Sequence, residues 1–165
     1  GAEVIAVGHC LGGLVITEAA ARRPELFSGL VYLCAFAPLP GENLLSLARA
    51  DASGGVPGAV TRGIFRTTFQ RNRAPEVFYN ACDPADAERA TAQLCQEPNL
   101  PTLQRVSRSA AALPPRAYIE CLRDNAISLA HQRWLHRRAG IVLELRGDDS
   151  RHRRARIRDR IDSPK

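Results

Sequence analysis

The feature that most constrains this chain is a strand pattern that ends at a glycine-flanked cysteine. Residues 3–7, EVIAV, form a short apolar and largely β-branched run typical of a buried strand. Residues 8–12, GHCLG, follow it and fit the pattern G-x-nucleophile-x-G, in which the nucleophile stands on a tight, strained turn between a strand and a helix. Small flanking residues let neighbouring backbone pass close to such a turn. The pattern predicts that Cys10 is a nucleophile; the alternative is a small buried thiol.

The residues beside Cys10 have separate expected roles. A nucleophile on this turn sits at the N-terminus of the following helix, where the helix dipole favours an anion. We therefore expect the pKa of the Cys10 thiol to be lowered. The backbone N–H of Leu11 is expected to be one donor of an oxyanion hole. His9 stands at the wrong position for the general base, so we expect it to line the pocket.

The rest of the chain alternates strand and helix patterns. Residues 11–23 have helical spacing and end at two arginines and a proline, and residues 29–36 form the near-continuous apolar run that parallel strands show. Glycine and proline punctuate residues 37–115, which we expect to be a mostly helical cap over the sheet. Its clearest helix pattern covers residues 84–96. Further elements are expected at residues 116–122 (strand), 125–138 (helix) and 140–145 (strand). This order predicts an α/β fold with a mainly parallel sheet flanked by helices.

Three segments of the chain resemble one known family. They are residues 7–42, which begin VGHCLGGLVI; residues 78–82 and 84–87, FYNAC and PADA; and residues 118–127 with 132–134, YIECLRDNAI and QRW. Together they resemble the α/β-hydrolase family that contains plant methylesterases, hydroxynitrile lyases and bacterial homologues. That family typically shows VGHSLGG at the first segment. The resemblance covers residues 1 to about 145 and implies a partial α/β-hydrolase fold with a cap at about residues 37–115.

The resemblance implies a catalytic acid at Asp124. The residue pattern agrees, because Asp124 lies just past a predicted strand, and in this fold the acid follows the nucleophile and precedes the histidine. The alternative is an ordinary helix N-cap, a position that aspartate favours. Cysteine in place of serine at position 10 implies a Cys-His-Asp triad that works through a thioester.

The C-terminal segment, residues 146–165, departs from the family pattern. After its last strand the family usually has a histidine segment and a closing helix, whereas this chain reads RGDDSRHRRARIRDRIDSPK. His152 lies roughly where the base belongs, and we assign the base to it if this chain has one. The arginines around it disfavour a histidine base. They favour the alternative that His152 is solvated in a disordered, basic tail.

Composition excludes several other classes of protein. Hydrophobic residues make up 45% of the chain and charged residues 24%, which is typical of soluble globular proteins. No apolar run is long enough to cross a bilayer, and no nucleic-acid motif accompanies the basic tail, so we expect neither a membrane nor a nucleic-acid partner. The chain has no methionine and begins directly in a strand pattern, so we expect a fragment that lacks an N-terminal part. The sequence makes no prediction of oligomeric state.

The five cysteines have neither the spacing of a disulfide framework nor that of a zinc site. Reduced thiols in a cytoplasmic protein without a metal fit better. Cys34 and Cys121 fall in predicted strands and are expected to be small buried residues. We expect Cys82 and Cys95 to pack within the cap.

The predicted helix at residues 125–138 carries three large side chains to which we assign no catalytic role. His131 and His136 are expected on the surface or against the cap. Trp134 is expected to anchor the helix to the sheet.

The sequence therefore predicts an enzyme that hydrolyses a small ester or related acyl compound without a cofactor. Cys10 would attack, a histidine would act as base and acid, and Asp124 would orient that histidine. The rival hypothesis is a non-catalytic ligand-binding or inactive truncated member of the same fold, because fold alone does not determine function. The resemblance also leaves a cyanohydrin lyase as a less favoured activity.

Overall fold

The computed structural model of the chain describes residues 4–106, 113–141 and 143–147. The strands are β1 (Val4–Cys10), β2 (Phe27–Ala35), β3 (Val60–Arg62), β4 (Arg66–Phe69), β5 (Glu97–Pro98), β6 (Arg116–Cys121) and β7 (Leu143–Gly147). The helices are α1 (Gly12–Arg22), α2 (Leu44–Arg49), α3 (Val56–Ala59), α4 (Ala74–Phe78), α5 (Pro84–Ala92), α6 (Leu100–Leu103) and α7 (Leu129–Arg138). No helix within these described ranges is long and apolar enough to span a bilayer.

The main sheet has four strands in the order β1-β2-β6-β7, and every neighbouring pair is parallel. The predicted α/β fold with a mainly parallel sheet is therefore confirmed. Strand β2 lies inside the sheet, which explains its apolar run: Leu30, Val31 and Tyr32 are all buried. Because the strands are parallel, their C-terminal ends meet at one edge of the sheet, and Cys10, Cys34 and Cys121 all lie at or near that edge.

Helix α1 packs on the sheet through Leu14, Ile16 and Ala20, which belong to the main hydrophobic core. It ends where the sequence predicts, with Arg22 in its last turn and Pro24 just beyond it. A buried hydrogen-bond chain ties it to β2, because Thr17 Oγ1 lies 2.7 Å from the hydroxyl oxygen of Tyr32. The same Thr17 hydroxyl donates to the carbonyl oxygen of Gly13 at 2.6 Å, so the contact with β2 extends to the first turn of α1.

Helix α7 is four residues shorter at its N-terminus than the predicted helix at residues 125–138. One Asp124 carboxylate oxygen accepts hydrogen bonds from the N–H groups of Ala126 and Ile127, which bends this segment into a turn. Ser128 is the N-cap, since its hydroxyl accepts from the N–H of His131. Asp124 therefore lies in the loop ahead of the helix.

The cap contains the short helices α2 to α6, in keeping with a mostly helical insertion. It also contains a small antiparallel sheet, β3-β4-β5, that the sequence pattern did not signal. These strands are only two to four residues long, too short for a recognisable alternation of apolar and polar residues. The predicted helix at residues 84–96 ends at Ala92.

The structure corrects the surface placement of the two helix histidines. Both are buried. His131 does contact the cap, through a hydrogen bond to the backbone of Leu47, and its ring packs near Phe36. His136 instead lies 3.1 Å from a carboxylate oxygen of Glu120, a fully buried residue of β6.

Two further expectations about packing are wrong. Trp134 does not anchor its helix to the sheet; it is 44% exposed, stacks on His131 and lies beneath the guanidinium of Arg138 at 4.0 Å. Its indole thus covers the outer side of α7. Cys82 and Cys95 are exposed and do not pack inside the cap. Both follow short cap helices whose buried faces are supplied by alanine, valine and threonine.

Candidate active site

Cys10 adopts the backbone conformation that the G-x-nucleophile-x-G pattern predicts. Its φ angle is 51°, in the left-handed region that few residues other than glycine adopt. It is the last residue of β1, and α1 begins two residues later at Gly12. Such strain persists only where the surroundings enforce it, and it is frequent at functional sites. Cys10 therefore stands on a sharp strand-to-helix turn at the C-terminal edge of the sheet.

The glycines around Cys10 differ in what they do. A Cβ atom at Gly8 would lie 2.6 Å from the carbonyl oxygen of Gly12, and one at Gly13 would lie 2.2 Å from the carbonyl oxygen of Phe36. Neither distance is compatible with a side chain. At Gly12 a Cβ atom would meet nothing within 4 Å. The close approaches at Gly8 and Gly13 hold the turn against its own helix and against the end of β2.

The Cys10 thiol is in an environment that favours its neutral form. Burial raises its pKa to about 11, and the negative charges of Asp124 and Glu97 act in the same direction. A hydrogen bond from the Leu11 backbone N–H to the sulfur opposes this rise and is outweighed. The expectation that the helix N-terminus would lower the thiol pKa is therefore wrong, because desolvation is the larger effect.

Asp124 lies three residues past the end of β6 and lines the same cavity as Cys10. Burial raises the pKa of its carboxyl group. The N–H groups of Ile127 and Ala126, the charge of His9 and a hydrogen bond from the Cys34 thiol act in the opposite direction and do not fully offset it. Asp124 is thus a constrained carboxylate that faces the nucleophile's side of the sheet.

His9 also lines this cavity. Its side chain is exposed and close enough to Asp124 to influence that carboxyl group electrostatically. The other histidine considered at the sequence level, His152, lies outside the described residues, as does most of the basic segment 146–165. Among the described residues, no group of three or more histidine, cysteine or acidic side chains could hold a metal ion.

The cavity has a volume of about 460 Å³ and lies between the C-terminal edge of the sheet and the cap. Its sheet side includes Cys10, Cys34 and Asp124, and its cap side is mainly aromatic and aliphatic. The apolar lining residues of the cap are Phe69, Val77, Phe78, Tyr79 and Leu94. A cavity of this size and character suits a small, largely apolar molecule.

Gln132 holds the Asp124 loop in place, a role that the sequence analysis missed. Its side-chain oxygen accepts from the N–H of Cys121 at 3.0 Å, and its side-chain nitrogen donates to the carbonyl oxygens of Cys121 and Ile127. The same nitrogen lies 3.5 Å from the second carboxylate oxygen of Asp124. Gln132 is fully buried. The sequence signal for this role is the QRW segment, residues 132–134, which resembles the family's pattern.

The cap and the acid loop are joined by backbone-directed hydrogen bonds. The side chain of Asn80 donates to the carbonyl oxygen of Arg123, and that of Asn125 donates to the carbonyl oxygen of Glu76. Asp51 accepts from both the N–H and the hydroxyl of Ser128. These contacts fix the cap over the cavity from the Asp124 side.

Comparison with known proteins adds a family match. A model of the alpha/beta hydrolase family matches residues 1–157. The chain is 28% identical over 169 residues to Methylesterase 2 of Arabidopsis thaliana, covering 89% of this chain and 62% of that protein. It is 30% identical over 150 residues to Methyl jasmonate esterase 1 of Vitis vinifera, covering 82% and 58%. The chain thus spans about three fifths of the length of these relatives.

Solved structures share the fold. A pyrethroid hydrolase from Sphingobium faniae superposes with a TM-score of 0.75 at 24% identity, over 89% of this chain and 62% of that one. Polyneuridine aldehyde esterase superposes with a TM-score of 0.71 at 18% identity, over 88% and 63%. At these identities the match concerns the arrangement of sheet, helices and cap.

Proposed function

Because this chain belongs to the alpha/beta hydrolase family, we propose that it hydrolyses a small carboxylic ester with Cys10 as the nucleophile. The observation that carries this proposal is the strained backbone of Cys10, with φ of 51°, on the wall of a cavity that Asp124 also lines. Acyl transfer through a triad requires a nucleophile on such a turn and an acid on the same cavity wall, with a histidine between them, and the strained Cys10 and the half-buried Asp124 supply the first two.

In the proposed reaction the Cys10 sulfur attacks the ester carbonyl carbon. Since the thiol pKa is raised to about 11, the sulfur reacts with its proton passing to a histidine base in the same step. The carbonyl oxygen becomes an oxyanion, which accepts a hydrogen bond from the Leu11 N–H. The histidine returns the proton to the departing alcohol, and a thioester remains on Cys10. Water then hydrolyses the thioester by the same proton transfers.

Asp124 is proposed to orient the histidine and to stabilise its protonated form. His152 is the base in this proposal. His9 remains a pocket-lining residue in this proposal, because it lines the cavity with an exposed side chain. Separate mutation of His152 and of His9 distinguishes the base from the pocket-lining residue.

The cavity supports an ester with an apolar acyl or alkyl group. The lining residues contributed by the cap are mainly aromatic and aliphatic, and the volume of about 460 Å³ holds a molecule of modest size. The relatives named above are, by their names, a methylesterase and a methyl jasmonate esterase. Small alkyl esters of apolar carboxylic acids are therefore the first substrates to test.

The test compares turnover of p-nitrophenyl butyrate by the chain and by Cys10→Ala, Asp124→Asn, His9→Ala and His152→Ala. We expect Cys10→Ala to fall to background and Asp124→Asn and His152→Ala to lose at least about 100-fold. His9→Ala is expected to retain most activity. Cys82→Ala is the matched control, because Cys82 is exposed and does not line the cavity. Unchanged turnover by Cys10→Ala would contradict the assignment of Cys10 as the nucleophile.

A ligand-binding protein without turnover is the second candidate, and the raised pKa of Cys10 is the observation that favours it. The two candidates differ in whether an acyl group is transferred to sulfur. After incubation with p-nitrophenyl butyrate, an enzyme carries a butyryl group on the Cys10 peptide, detectable by mass spectrometry of acid-quenched samples. In a binding protein, the carboxylate product of the ester protects Cys10 from alkylation in a saturable way. No acylated peptide forms.

A further inference from the structure

Cys34 and Cys121 bring two sulfur atoms together on the cavity wall. They are 87 residues apart in the chain, yet their Sγ atoms lie 2.8 Å apart. They belong to the neighbouring parallel strands β2 and β6, near the C-terminal ends of both. Cys34 is buried, Cys121 is half-buried, and both line the same cavity as Cys10.

The backbone around this pair is held firmly. Cys34 has φ of 33°, the second residue besides Cys10 among the described non-glycine residues with a positive φ. The hydroxyl of Tyr118 donates to the carbonyl oxygen of Ala35 at 2.9 Å, which ties the end of β2 to β6. Adjacent strands lie about 4.8 Å apart, and the two sulfur atoms already approach each other across this gap. The two thiols are therefore placed for bond formation without a rearrangement of the sheet.

We propose that Cys34 and Cys121 are a modification site that hydrogen peroxide converts to a reversible disulfide. In the first step one sulfur attacks the peroxide, the O–O bond breaks, and a sulfenic acid and one water form. In the second step the other sulfur attacks the sulfenic sulfur, the S–S bond forms, and a second water leaves. The two thiols lose two electrons and two protons in total, and the peroxide takes them up.

The oxidant reaches the two thiols through the cavity, and the raised pKa of Cys34 slows the reaction. Both sulfurs border the cavity, so a molecule as small as hydrogen peroxide reaches them from solvent. The hydrogen bond to Cys121 and burial both raise the pKa of Cys34. The thiolate is the reacting form, so oxidation at neutral pH is slower than at an exposed thiol. Raising the pH therefore speeds formation of the disulfide.

The disulfide has two structural consequences. The Cys34 thiol donates a hydrogen bond to the Cys121 sulfur in the reduced protein, and oxidation replaces this contact on the cavity wall with a covalent bond. The bond also closes a loop that contains every cap element, α2 to α6 and β3 to β5. Closing so long a loop restricts the unfolded chain strongly, so the oxidised protein is more stable to heat.

The experiment maps disulfides after exposure to hydrogen peroxide in a Cys82→Ser/Cys95→Ser background. This background removes the two exposed thiols, which lie outside the cavity. Remaining thiols are alkylated in denaturant and the chain is digested with trypsin. Each of the five cysteines lies in its own tryptic peptide, so every pairing gives a distinct mass.

We expect a linked pair of the Cys34 and Cys121 peptides, about 2 Da lighter than the sum of the two reduced peptides, that disappears on treatment with dithiothreitol. The oxidised chain should melt roughly 5–10 °C higher than the reduced chain. The variants Cys34→Ala and Cys121→Ala should show neither the link nor the shift. A link from Cys10 to either cysteine, or full alkylation of both Cys34 and Cys121 after oxidation, would overturn the proposal.

Discussion

A methyl group on Gly8 would lie 2.6 Å from the carbonyl oxygen of Gly12, whereas a methyl group on Gly12 would meet no atom within 4 Å. The two glycines of the G-x-nucleophile-x-G pattern are therefore not equivalent in this chain. Gly8 allows the end of β1 to pass over the first turn of α1. Gly12 is the first residue of that helix and has open space beside it.

This asymmetry predicts opposite effects of the same substitution. Gly8→Ala should lower the free energy of unfolding by about 3 kcal/mol or more, because the backbone of α1 must move to admit the methyl group. Gly12→Ala should be neutral or stabilise by about 0.5 kcal/mol, since alanine is the better helix former. Urea denaturation of the two variants measures both effects. Equal losses of unfolding free energy in the two variants would show that the end of β1 and the first turn of α1 are not in contact at Gly8.

The raised pKa of Cys10 predicts how its alkylation depends on pH. The iodoacetamide rate at Cys10 should rise about tenfold per pH unit from pH 6.5 to 9.5, because only the thiolate reacts and the pKa of about 11 lies above this range. Peptide mass spectrometry follows Cys10 separately from exposed Cys82, whose alkylation in the same sample reports on the reagent. A rate that levels off below pH 8 would mean a lowered pKa and would restore the expectation drawn from the sequence.

The raised pKa of Asp124 predicts a pH-dependent gain in stability from Asp124→Asn. Because the folded pKa lies above the ordinary value of 3.8, the native protein binds the proton more tightly than the unfolded chain. The carboxyl group thus stabilises the fold fully below pH 3.8, and this contribution is lost as the pH rises through the folded pKa. Asparagine keeps the oxygen that accepts from Ala126 and Ile127 and carries no charge.

The variant should therefore be more stable than the parent at pH 7, with a difference that shrinks as the pH falls through the raised folded pKa of Asp124 towards 3.8. Urea denaturation between pH 3.5 and 8 measures the difference, and Asp86→Asn is the control, since Asp86 is an exposed partner of Arg89. A variant that is less stable than the parent at pH 7 would contradict the prediction. If the variant gains stability at pH 7 and also loses turnover, Asp124 serves the reaction at a cost to the stability of the fold.

Gln132 should matter for both stability and the position of Asp124. Gln132→Leu removes the hydrogen bonds to the N–H and carbonyl oxygen of Cys121 and to the carbonyl oxygen of Ile127, and leaves these buried groups without their partner. We expect a loss of about 2–4 kcal/mol in the free energy of unfolding. Gln93→Leu is the control, because Gln93 is an exposed residue at the end of α5. A loss below about 0.5 kcal/mol would show that the loop holds Asp124 by itself.

Several parts of the fold followed from local sequence alone. The apolar run near Leu30 indicated a strand buried on both faces, and Pro24 after Arg22 indicated the end of α1. These signals are local because they depend on side-chain period and on residues that end helices. The antiparallel sheet of the cap had no such signal. Strands of two to four residues are shorter than the repeats on which the patterns depend.

The candidate site also contains parts that local sequence predicted and parts that it did not. The placement of Cys10 on a strained turn and of Asp124 beyond a strand was predictable, because each depends on the residues immediately around it. The place of Gln132 was not, because its partners are a strand and a loop that only the docking of α7 brings beside it. The exposure of Trp134 depended likewise on which side of α7 faces the sheet.

The sequence by itself determined the succession of strands and helices that form the main sheet, the turn at Cys10 and the family to which that turn belongs. The tertiary structure alone decided that Gly8 is indispensable while Gly12 is free to change, and that burial overrides the helix dipole at Cys10. It also brought Cys34 and Cys121 into contact across 87 residues. Close approach, desolvation and cross-strand contact all depend on distances between segments remote in the chain, and those distances exist only once the sheet, helices and cap have packed together.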